Sequence, residues 1–327
     1  MKAAWYSQTG PARKVLKYGE LPDPGPGAGE VRVRIHSSGV NPSDVKARAG
    51  ARGPLQFPFH VPHSDGAGTI DRVGPGISTS RIGERVFVWN AAWKRQMGSC
   101  AEWVCLPAEQ AAALPACTDF TAGACIGIPV MTACHAVFSD GPVSRKTILV
   151  TGGAGTVGRY AIQLAKWKGA RVAATVSGDE KAAVARAAGA DLVINYRTEN
   201  VIERVQDFTS GLGIDRVVEV EFGGNLATTN KILRTGGVIA AYGSVADRTP
   251  TLPFYELMFK HITLRMLLVY SLSESERRSV CATISDALRD GALTPLIAAR
   301  FGLDSVAEAH ETVETGSLIG NVLIDIS

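Results

Sequence analysis

The stretch TILVTGGAGTVGRYAIQLAK (147–166) decides the fold. A short apolar run leads into a glycine-rich turn, after which apolar residues recur every three or four positions, as in an amphipathic helix. The spacing Gly153-x-Gly155-x-x-Gly158 is that of a dinucleotide-binding turn, whose glycines make the turn, admit a pyrophosphate and allow close helix packing. The candidate phosphate contacts are six consecutive residues of the turn: Gly153, Ala154, Gly155, Thr156, Val157 and Gly158.

The alternation of strand and helix patterns continues beyond this turn. Near-continuous apolar runs alternate with helix-length amphipathic segments, and the runs lie at 147–152, 171–176, 191–195, 215–220 and 236–243. Such a pattern is typical of a parallel sheet with helices on both faces. We therefore expect an α/β, doubly wound domain in this part of the chain.

The N-terminal part of the chain has a different pattern. The segment EVRVRIHSSGV (30–40) alternates apolar and polar residues, and the segments 66–77 and 83–89 repeat that pattern between Gly-Pro-Gly turns. This period of two predicts short, half-buried strands. After residue 244 the chain continues through 262–272 and a helix to a final strand, NVLIDIS. A β-rich domain made of two pieces of chain is the expected partner of the α/β domain.

Composition excludes several classes of protein. The 327 residues are 46% hydrophobic and 20% charged, with 34 Lys+Arg against 31 Asp+Glu and a net charge of +3. No block of five or six like charges occurs, so binding to nucleic acid is not expected. The six cysteines form no C-x-x-C pair and no disulfide framework, which favours a cytoplasmic setting.

No targeting or membrane-spanning segment is predicted. The N-terminus lacks the apolar core and cleavage site of a secretory signal. One uncharged run, 120–138, contains glycines, a proline and small residues and has no basic flanks. It is predicted to be a buried core helix rather than a membrane span.

The end of the second strand distinguishes the two nicotinamide dinucleotides. An NAD site usually has an acidic residue here to bind the ribose 2′-hydroxyl, whereas this chain has Val176, then Ser177 and, four residues later, Lys181. Without a carboxylate, the repulsion of a 2′-phosphate is removed, and the hydroxyl and ammonium groups can bind it. The sequence favours NADP(H), although Lys181 beside Glu180 also fits an ordinary solvated helix face.

Several blocks along the whole chain carry a family resemblance. They are SSGVNPSDVKARAG (37–50), PFHVPHSDGAG (58–68), AGACIGIPVMTACHAV (122–137), GADLVINY (189–196) and VAEAHETVETGSLIGNVLI (306–324), together with the glycine turn. In this order they resemble the quinone oxidoreductase or zeta-crystallin branch of the zinc-free medium-chain dehydrogenase/reductase superfamily. The resemblance implies a GroES-like catalytic domain (1–122 and 264–327), a Rossmann NADP-binding domain (123–263) and a homodimer joined through the Rossmann sheets.

The resemblance also bears on metal binding. Catalytic zinc in related enzymes takes two cysteines and a histidine, and the matching positions here are Asn41, Ser64 and Ile128. Isoleucine cannot bind a metal, and only Cys100 and Cys105 lie near the place of the structural zinc lobe. No metal is therefore expected, and His63, one residue from the histidine position, is interpreted as structural.

The family's contacts can be carried over to this sequence. The implied cofactor contacts beyond the glycine turn are Ser177, Lys181, Tyr196, Asn225, Tyr242, Gly243, Ser244 and Leu267, and Asn41 and Thr132 would line the nicotinamide. Simpler interpretations remain for three of them: Tyr196 as a cover for the sheet edge, Asn225 as a helix cap and Thr132 as a core residue.

Two positions depart from the family where it commonly has tyrosines at the quinone site. They are occupied by Lys46 and Arg52, which would suit a polar or anionic substrate or would simply face solvent. A third departure is Asn321, where the family's last strand often begins with lysine, so that one phosphate contact is lost. The catalytic candidates are therefore Asn41, Thr132 and Lys46, with Lys46 or solvent as the proton source.

The resemblance implies hydride transfer from NADPH to a quinone or similar activated carbonyl compound, without zinc. An NADPH-dependent enone or alkenal double-bond reductase is the alternative with the same cofactor chemistry. A non-catalytic, crystallin-like NADPH-binding protein is the alternative from a different class.

Overall fold

The structure is a computed structural model that describes residues 1–326. The chain forms two compact units, which are described separately below. The first consists of Met1–Ile128 together with the chain from Thr294 onwards, and the second of Pro129–Leu293. The predicted boundary at 264 differs from this division, because the segment 264–293 lies in the second unit.

The described residues form fifteen strands and eleven α-helices. The strands are β1 (Lys2–Trp5), β2 (Lys17–Glu20), β3 (Glu30–Val40), β4 (Asp65–Val73), β5 (Arg85–Val88), β6 (Trp103–Pro107), β7 (Ala111–Ala113), β8 (Thr147–Val150), β9 (Arg171–Val176), β10 (Leu192–Asn195), β11 (Ile214–Glu219), β12 (Leu233–Ala241), β13 (Thr263–Met266), β14 (Ile297–Gly302) and β15 (Asn321–Asp325). The helices are α1 (Ala12–Val15), α2 (Pro42–Arg48), α3 (Phe120–Gly123), α4 (Gly127–Phe138), α5 (Thr156–Trp167), α6 (Asp179–Ala187), α7 (Val201–Thr209), α8 (Phe222–Ile232), α9 (Phe254–Phe259), α10 (Glu274–Arg289) and α11 (Val306–Thr315).

The second unit is built on a six-stranded parallel sheet. Its strand order is β10-β9-β8-β11-β12-β13, with every neighbouring pair parallel. This is the 3-2-1-4-5-6 order of a doubly wound Rossmann domain, in which the order reverses between the first and fourth strands. The predicted α/β fold is confirmed, and β8 to β12 lie within a few residues of the predicted runs.

The first unit contains a seven-stranded sheet with one side pairing. The order is β14-β15-β3-β4-β5-β7, and β6 pairs antiparallel with β3. The predicted alternation in β3 holds for Val31, Val33 and Ile35, which are fully buried. Arg32 is buried as well, because its guanidinium binds the Asp71 carboxylate through Nε and Nη2 at 2.9 and 2.6 Å.

The uncharged run 120–138 is interrupted rather than continuous. It forms α3 and α4, and most of its apolar side chains are buried, as predicted. A helix long and apolar enough to cross a bilayer is not found anywhere in residues 1–326.

Candidate functional site

The three motif glycines in the turn between β8 and α5 have different surroundings: two are tightly packed and one is exposed. A Cβ on Gly153 would lie 2.7 Å from Ala174 Cβ, and a Cβ on Gly158 would overlap the Gly152 carbonyl oxygen. Gly155, in contrast, is exposed, and only that same oxygen, at 3.3 Å, would lie near its Cβ. Packing therefore explains two glycines of the motif, and the third keeps the N-terminus of α5 accessible to an anion, which helix amides attract.

The end of β9 brings together the residues predicted to bind an adenosine phosphate. Lys181 Nζ donates to Ser177 Oγ at 3.1 Å, from the first turn of α6 back to the strand end. The Tyr196 amide donates to the Val176 carbonyl at 3.1 Å, and its side chain is 52% exposed at the end of β10. Ser177 and Lys181 therefore place a hydroxyl and an ammonium group after β9, and Tyr196 places an exposed phenol ring after the neighbouring strand β10. Val176, the last residue of β9, supplies no carboxylate.

The end of β11 holds a buried carboxylate that the sequence analysis did not identify. Glu219 is fully buried, and its Oε1 accepts hydrogen bonds from Thr151 Oγ1 at 2.6 Å, the Glu221 amide at 2.8 Å and Asn225 Nδ2 at 2.9 Å. Thr151 directly precedes the glycine turn, so Glu219 connects that turn to α8. The signal in the sequence is an acidic residue at the carboxyl end of the strand, directly after two valines.

Asn225 has a different role from that of a helix cap. Helix α8 begins at Phe222, so Asn225 lies inside it, and its amide donates to Glu219. The interpretation of Asn225 as a cap is wrong because the chain turns three residues earlier than the sequence pattern indicated.

The loop after β12 is fixed by hydrogen bonds. The Gly223 amide donates to Ser244 Oγ at 2.9 Å, while Glu221 accepts from the Val245 and Ala246 amides at 2.8 to 3.0 Å. The neighbouring Tyr242 has its pKa raised by burial and by the Glu219 charge. Ser244 therefore positions the loop that follows Tyr242 and Gly243.

All of these groups lie at the carboxyl ends of the parallel strands. Leu267 completes the set, because its amide binds the Ala241 carbonyl at 2.8 Å just beyond β13. In parallel α/β sheets, ligands bind at the carboxyl ends of the strands beside the point where strand order reverses, here between β8 and β11. The residues present fit a bound dinucleotide with an extra phosphate.

In the first unit, the positions that correspond to zinc ligands are occupied by a different arrangement. Asp65 accepts a hydrogen bond from Asn41 Nδ2 at 2.7 Å and from the Ile128 amide at 2.8 to 2.9 Å. Burial raises the pKa of the Asp65 carboxyl well above its usual range. Asn41 thus has its amide held by Asp65, and Ile128 contributes only a backbone group. Ser64, the third of these positions, directly precedes Asp65 in the sequence and is buried.

His63 belongs to a buried hydrogen-bonded network. Its Nε2 lies 2.9 Å from Nε2 of His310, and its Nδ1 lies 2.9 Å from Ser38 Oγ, which is in turn 2.8 Å from Ser99 Oγ. Both imidazoles are fully buried. Such an arrangement fits the structural interpretation of His63.

The two cations at the family's tyrosine positions have different environments. Lys46 is exposed on α2. Arg52 lines a small pocket with Tyr6, Asp44 and Trp93, and its guanidinium carbon lies 5.2 Å from the Trp93 ring centroid. Burial raises the pKa of Asp44 to about 7.

Thr132, the remaining catalytic candidate, is buried on α4 in the second unit.

Comparisons with known proteins agree with this architecture. The family described as "Alcohol dehydrogenase GroES-like domain" matches residues 27–116, and the one described as "Zinc-binding dehydrogenase" matches residues 156–286. The chain is 31% identical to human quinone oxidoreductase over 88% of this chain and 86% of that protein. It is 29% identical to 2-haloacrylate reductase of Burkholderia sp. over 99% and 98%. A mycobacterial structure complexed with NADPH superposes with a TM-score of 0.85, 28% identity and 99% coverage of both chains.

Proposed function

Because this chain belongs to the quinone oxidoreductase branch of the medium-chain dehydrogenase/reductase superfamily and is an oxidoreductase, we propose that it transfers hydride from NADPH to a quinone or similar activated carbonyl acceptor. Fold alone does not determine the acceptor. The proposal therefore depends on the chemistry of named side chains.

The observation that carries the cofactor assignment is the group at the end of β9. Val176 leaves no carboxylate there, and Ser177 and Lys181, 3.1 Å apart, offer a hydroxyl and a cation to a 2′-phosphate. The mycobacterial relative complexed with NADPH supports the same assignment. Gly155 and the first amides of α5 would hold the pyrophosphate.

The reaction would proceed without a metal. Bound NADPH supplies the hydride, and an acceptor that is already electrophilic needs no zinc to polarise it. Asn41 keeps a fixed orientation because its Nδ2 donates a hydrogen bond to Asp65, and its role would be to line the nicotinamide site. Lys46 or solvent would supply the proton that completes the product.

The side chains at the three ligand positions support the proposal that the reaction needs no zinc. Ile128 cannot coordinate, and the Asn41 amide is bound to Asp65. The family description "Zinc-binding dehydrogenase" covers residues 156–286, which contain none of these positions. We expect elemental analysis of purified protein to find much less than one zinc per chain, and stoichiometric zinc would contradict the assignment.

A reductase of activated alkenes is the second candidate. Arg52 and Lys46 stand where the family commonly has two tyrosines, so the aromatic rings that would stack on a flat quinone are absent. The likeness to 2-haloacrylate reductase over nearly the whole chain favours an alkene acceptor.

The assembly proposed is a homodimer in the cytoplasm. Strand β13 is an edge strand on which Met266 is exposed, and the preceding helix α9 exposes Phe254, Tyr255 and Phe259. Exposed strand edges and apolar patches favour association with a second copy.

One assay distinguishes the two candidates. Oxidation of NADPH and NADH is followed at 340 nm with 9,10-phenanthrenequinone, a small enone and an alkenal as acceptors. We expect faster turnover with NADPH than with NADH, and the preferred acceptor decides between quinone and alkene reduction. Tight NADPH binding with no turnover of any electrophile would contradict the enzymatic assignment.

A further inference from the structure

Glu221 places a carboxylate at the carboxyl end of the Rossmann sheet, two residues beyond the end of β11. Its Oε1 accepts hydrogen bonds from the amides of Val245 and Ala246, each at 3.0 Å, and its Oε2 accepts the Val245 amide at 2.8 Å. Both amides belong to the loop that follows β12, here called the β12 loop (243–247). The carboxylate therefore binds the β12 loop to the start of α8.

The β12 loop also meets the first residues of α8 through their backbone. The Phe222 amide donates to the Gly243 carbonyl at 2.9 Å, and the Gly223 amide donates to Ser244 Oγ at 2.9 Å. The approach is close, because a Cβ on Gly223 would overlap the Asp247 carbonyl oxygen. The conformation of the β12 loop is therefore set by its contacts with the beginning of α8.

The outer side of the β12 loop is open to solvent. Val245 is 72% exposed, and residues 246–248 are exposed as well, so their side chains contribute little packing. Partial burial would raise the pKa of Glu221, but the Val245 and Ala246 amides outweigh that effect and hold the pKa below its usual value. Hydrogen bonds to an ionised acceptor are stronger than those between neutral groups. The exposed end of the loop therefore depends on Glu221 for its conformation.

The strand order indicates which half of the cofactor lies near this loop. Ser177 and Lys181, proposed for the 2′-phosphate, follow β9, and the glycine turn proposed for the pyrophosphate follows β8. Beyond β8, the sheet continues with β11 and then β12. A dinucleotide bound across the point where the strand order reverses has its adenosine half at β9 and its nicotinamide half at β11 and β12. The β12 loop thus belongs to the nicotinamide half of the site.

We propose that Glu221 is a positioning residue for the nicotinamide half of NADPH, because it holds the β12 loop in the conformation in which Tyr242, Gly243 and Ser244 contact that half. The inference rests on the proposed function for these three contacts, and it adds what keeps them in place. Without the carboxylate, the loop would populate other conformations. The apparent affinity for NADPH would then fall in proportion to the fraction of molecules whose loop is competent to bind.

The test compares two ligands that share the adenosine end. Adenosine 2′,5′-bisphosphate carries the 2′-phosphate but lacks the nicotinamide half that NADPH has. We expect Glu221→Ala to weaken NADPH binding roughly tenfold, as the loss of charge-assisted contacts implies, and to change bisphosphate binding less than about twofold, both measured by calorimetry.

Two further variants serve as controls. Glu221→Gln should keep most of the affinity for NADPH, because its carbonyl oxygen can take the position of Oε1, where the Val245 and Ala246 amides converge. Glu203→Ala removes an exposed carboxylate from α7 and should change the binding of neither ligand. A glutamine variant that binds NADPH as weakly as the alanine variant would contradict anchoring through the loop amides.

The outcomes separate positioning from general stability and from hydride chemistry. Equal losses of affinity for both ligands in Glu221→Ala would mean that Glu221 only stabilises the fold, and unchanged NADPH binding would mean that the loop does not need it. Either result overturns the inference. Neither titration requires an acceptor, so absence of turnover together with the expected difference between the two ligands would contradict only the proposed function.

Discussion

At the scale of single residues, one buried carboxylate holds together three groups of the candidate cofactor site. Glu219 accepts hydrogen bonds from the turn through Thr151, from the start of α8 through the Glu221 amide and from Asn225. A carboxyl oxygen has two lone pairs and accepts hydrogen bonds, so Oε1 is the common partner of three converging donors. Glu219 therefore positions groups at the carboxyl ends of β8 and β11, where the cofactor is proposed to bind.

Replacing Glu219 by glutamine tests that role. The three donors converge on Oε1, where glutamine can place its carbonyl oxygen, and its amide nitrogen then replaces Oε2, 3.4 Å from Thr229 Oγ1. A neutral acceptor binds these donors more weakly than a carboxylate does, which costs about 1–3 kcal/mol for the set. We expect Glu219→Gln to lower the free energy of unfolding by that amount, and to raise the KM for NADPH more than the KM for the acceptor. Urea denaturation and initial rates measure the two effects. Unchanged KM for NADPH would show that Glu219 only stabilises the fold.

The choice of dinucleotide is the next prediction at this scale. Lys181→Gln removes the cation at the end of β9, and we expect kcat/KM for NADPH to fall roughly tenfold with that for NADH nearly unchanged, because one charge-assisted contact is lost. Arg186→Gln, an exposed cation on the other end of α6, is the matched control. Equal effects on both dinucleotides would contradict the assignment of Lys181 to the 2′-phosphate.

The paired histidines give stability a pH dependence. Burial lowers the pKa of His310 to about 3, and that of His63 also lies well below its usual value. In the unfolded chain both take up a proton near pH 6.5. Stability from these neutral groups is therefore complete above pH 6.5 and is lost as pH falls towards 3. Asp44 acts oppositely, since its folded pKa of about 7 exceeds the unfolded value and stability from it is lost as pH rises.

A variant isolates the histidine contribution from that of Asp44. His310→Gln removes one neutral imidazole, so its stability deficit relative to wild type should shrink by about 2 kcal/mol between pH 7 and pH 5. Urea denaturation at the two pH values measures this change. His261→Gln, at an exposed position, should show no such change. A deficit that is constant with pH would mean that His310 is protonated in the folded protein.

At the scale of elements, the turn between β8 and α5 contains one glycine expected to matter for packing, Gly153, and one expected to matter for NADPH binding, Gly155. Gly153→Ala places a methyl group 2.7 Å from Ala174 Cβ, so we expect a loss of stability of about 1–3 kcal/mol from overpacking. Gly155→Ala has only one neighbour, at 3.3 Å, and a φ of −67° that alanine adopts readily. It should leave the melting temperature nearly unchanged and weaken NADPH binding, as measured by fluorescence titration. If Gly155→Ala binds NADPH normally, the pyrophosphate does not approach this glycine.

The elements that the sequence predicted are those with a local signature. Strand β9 matches its predicted run, because a buried parallel strand is continuously apolar between a glycine and a helix. The start of helix α8 was placed three residues too late, at Asn225, because FGGNLATTNKI has two glycines near its start and little amphipathic period. Strand β14 was missed because none of its six residues is fully buried and it depends on pairing with β15.

The candidate site divides in the same way. Ser177 and Lys181 were predictable because both lie within one strand-to-helix turn. The links from Glu219 to Thr151 and from Asp65 to Ile128 join residues more than sixty positions apart in the chain. Such contacts depend on tertiary structure, and no short pattern encodes them.

At the scale of the whole molecule, each unit has a sheet with an exposed edge to protect. In the second unit, β13 pairs only with β12 among the described residues, and Met266 on it is 63% exposed. Nearby in sequence, Phe254 and Phe259 of α9 are 66% and 75% exposed. In the first unit, the edge strand β14 carries a single exposed large apolar residue, Ile297. The apolar edge, and hence the proposed dimer contact, belongs to the Rossmann sheet.

A charge at each edge tests which one associates. Met266→Lys places an ammonium on the β13 edge, where a like-charged pair across a two-fold axis would be brought together, and we expect the dimer to dissociate at micromolar concentration. Light scattering coupled to size exclusion should then report one chain for the variant and two for wild type. Ile297→Lys makes the same change on β14 and should leave two. Dissociation by Ile297→Lys but not by Met266→Lys would place the contact on the other sheet, and a monomeric wild type would contradict the dimer itself.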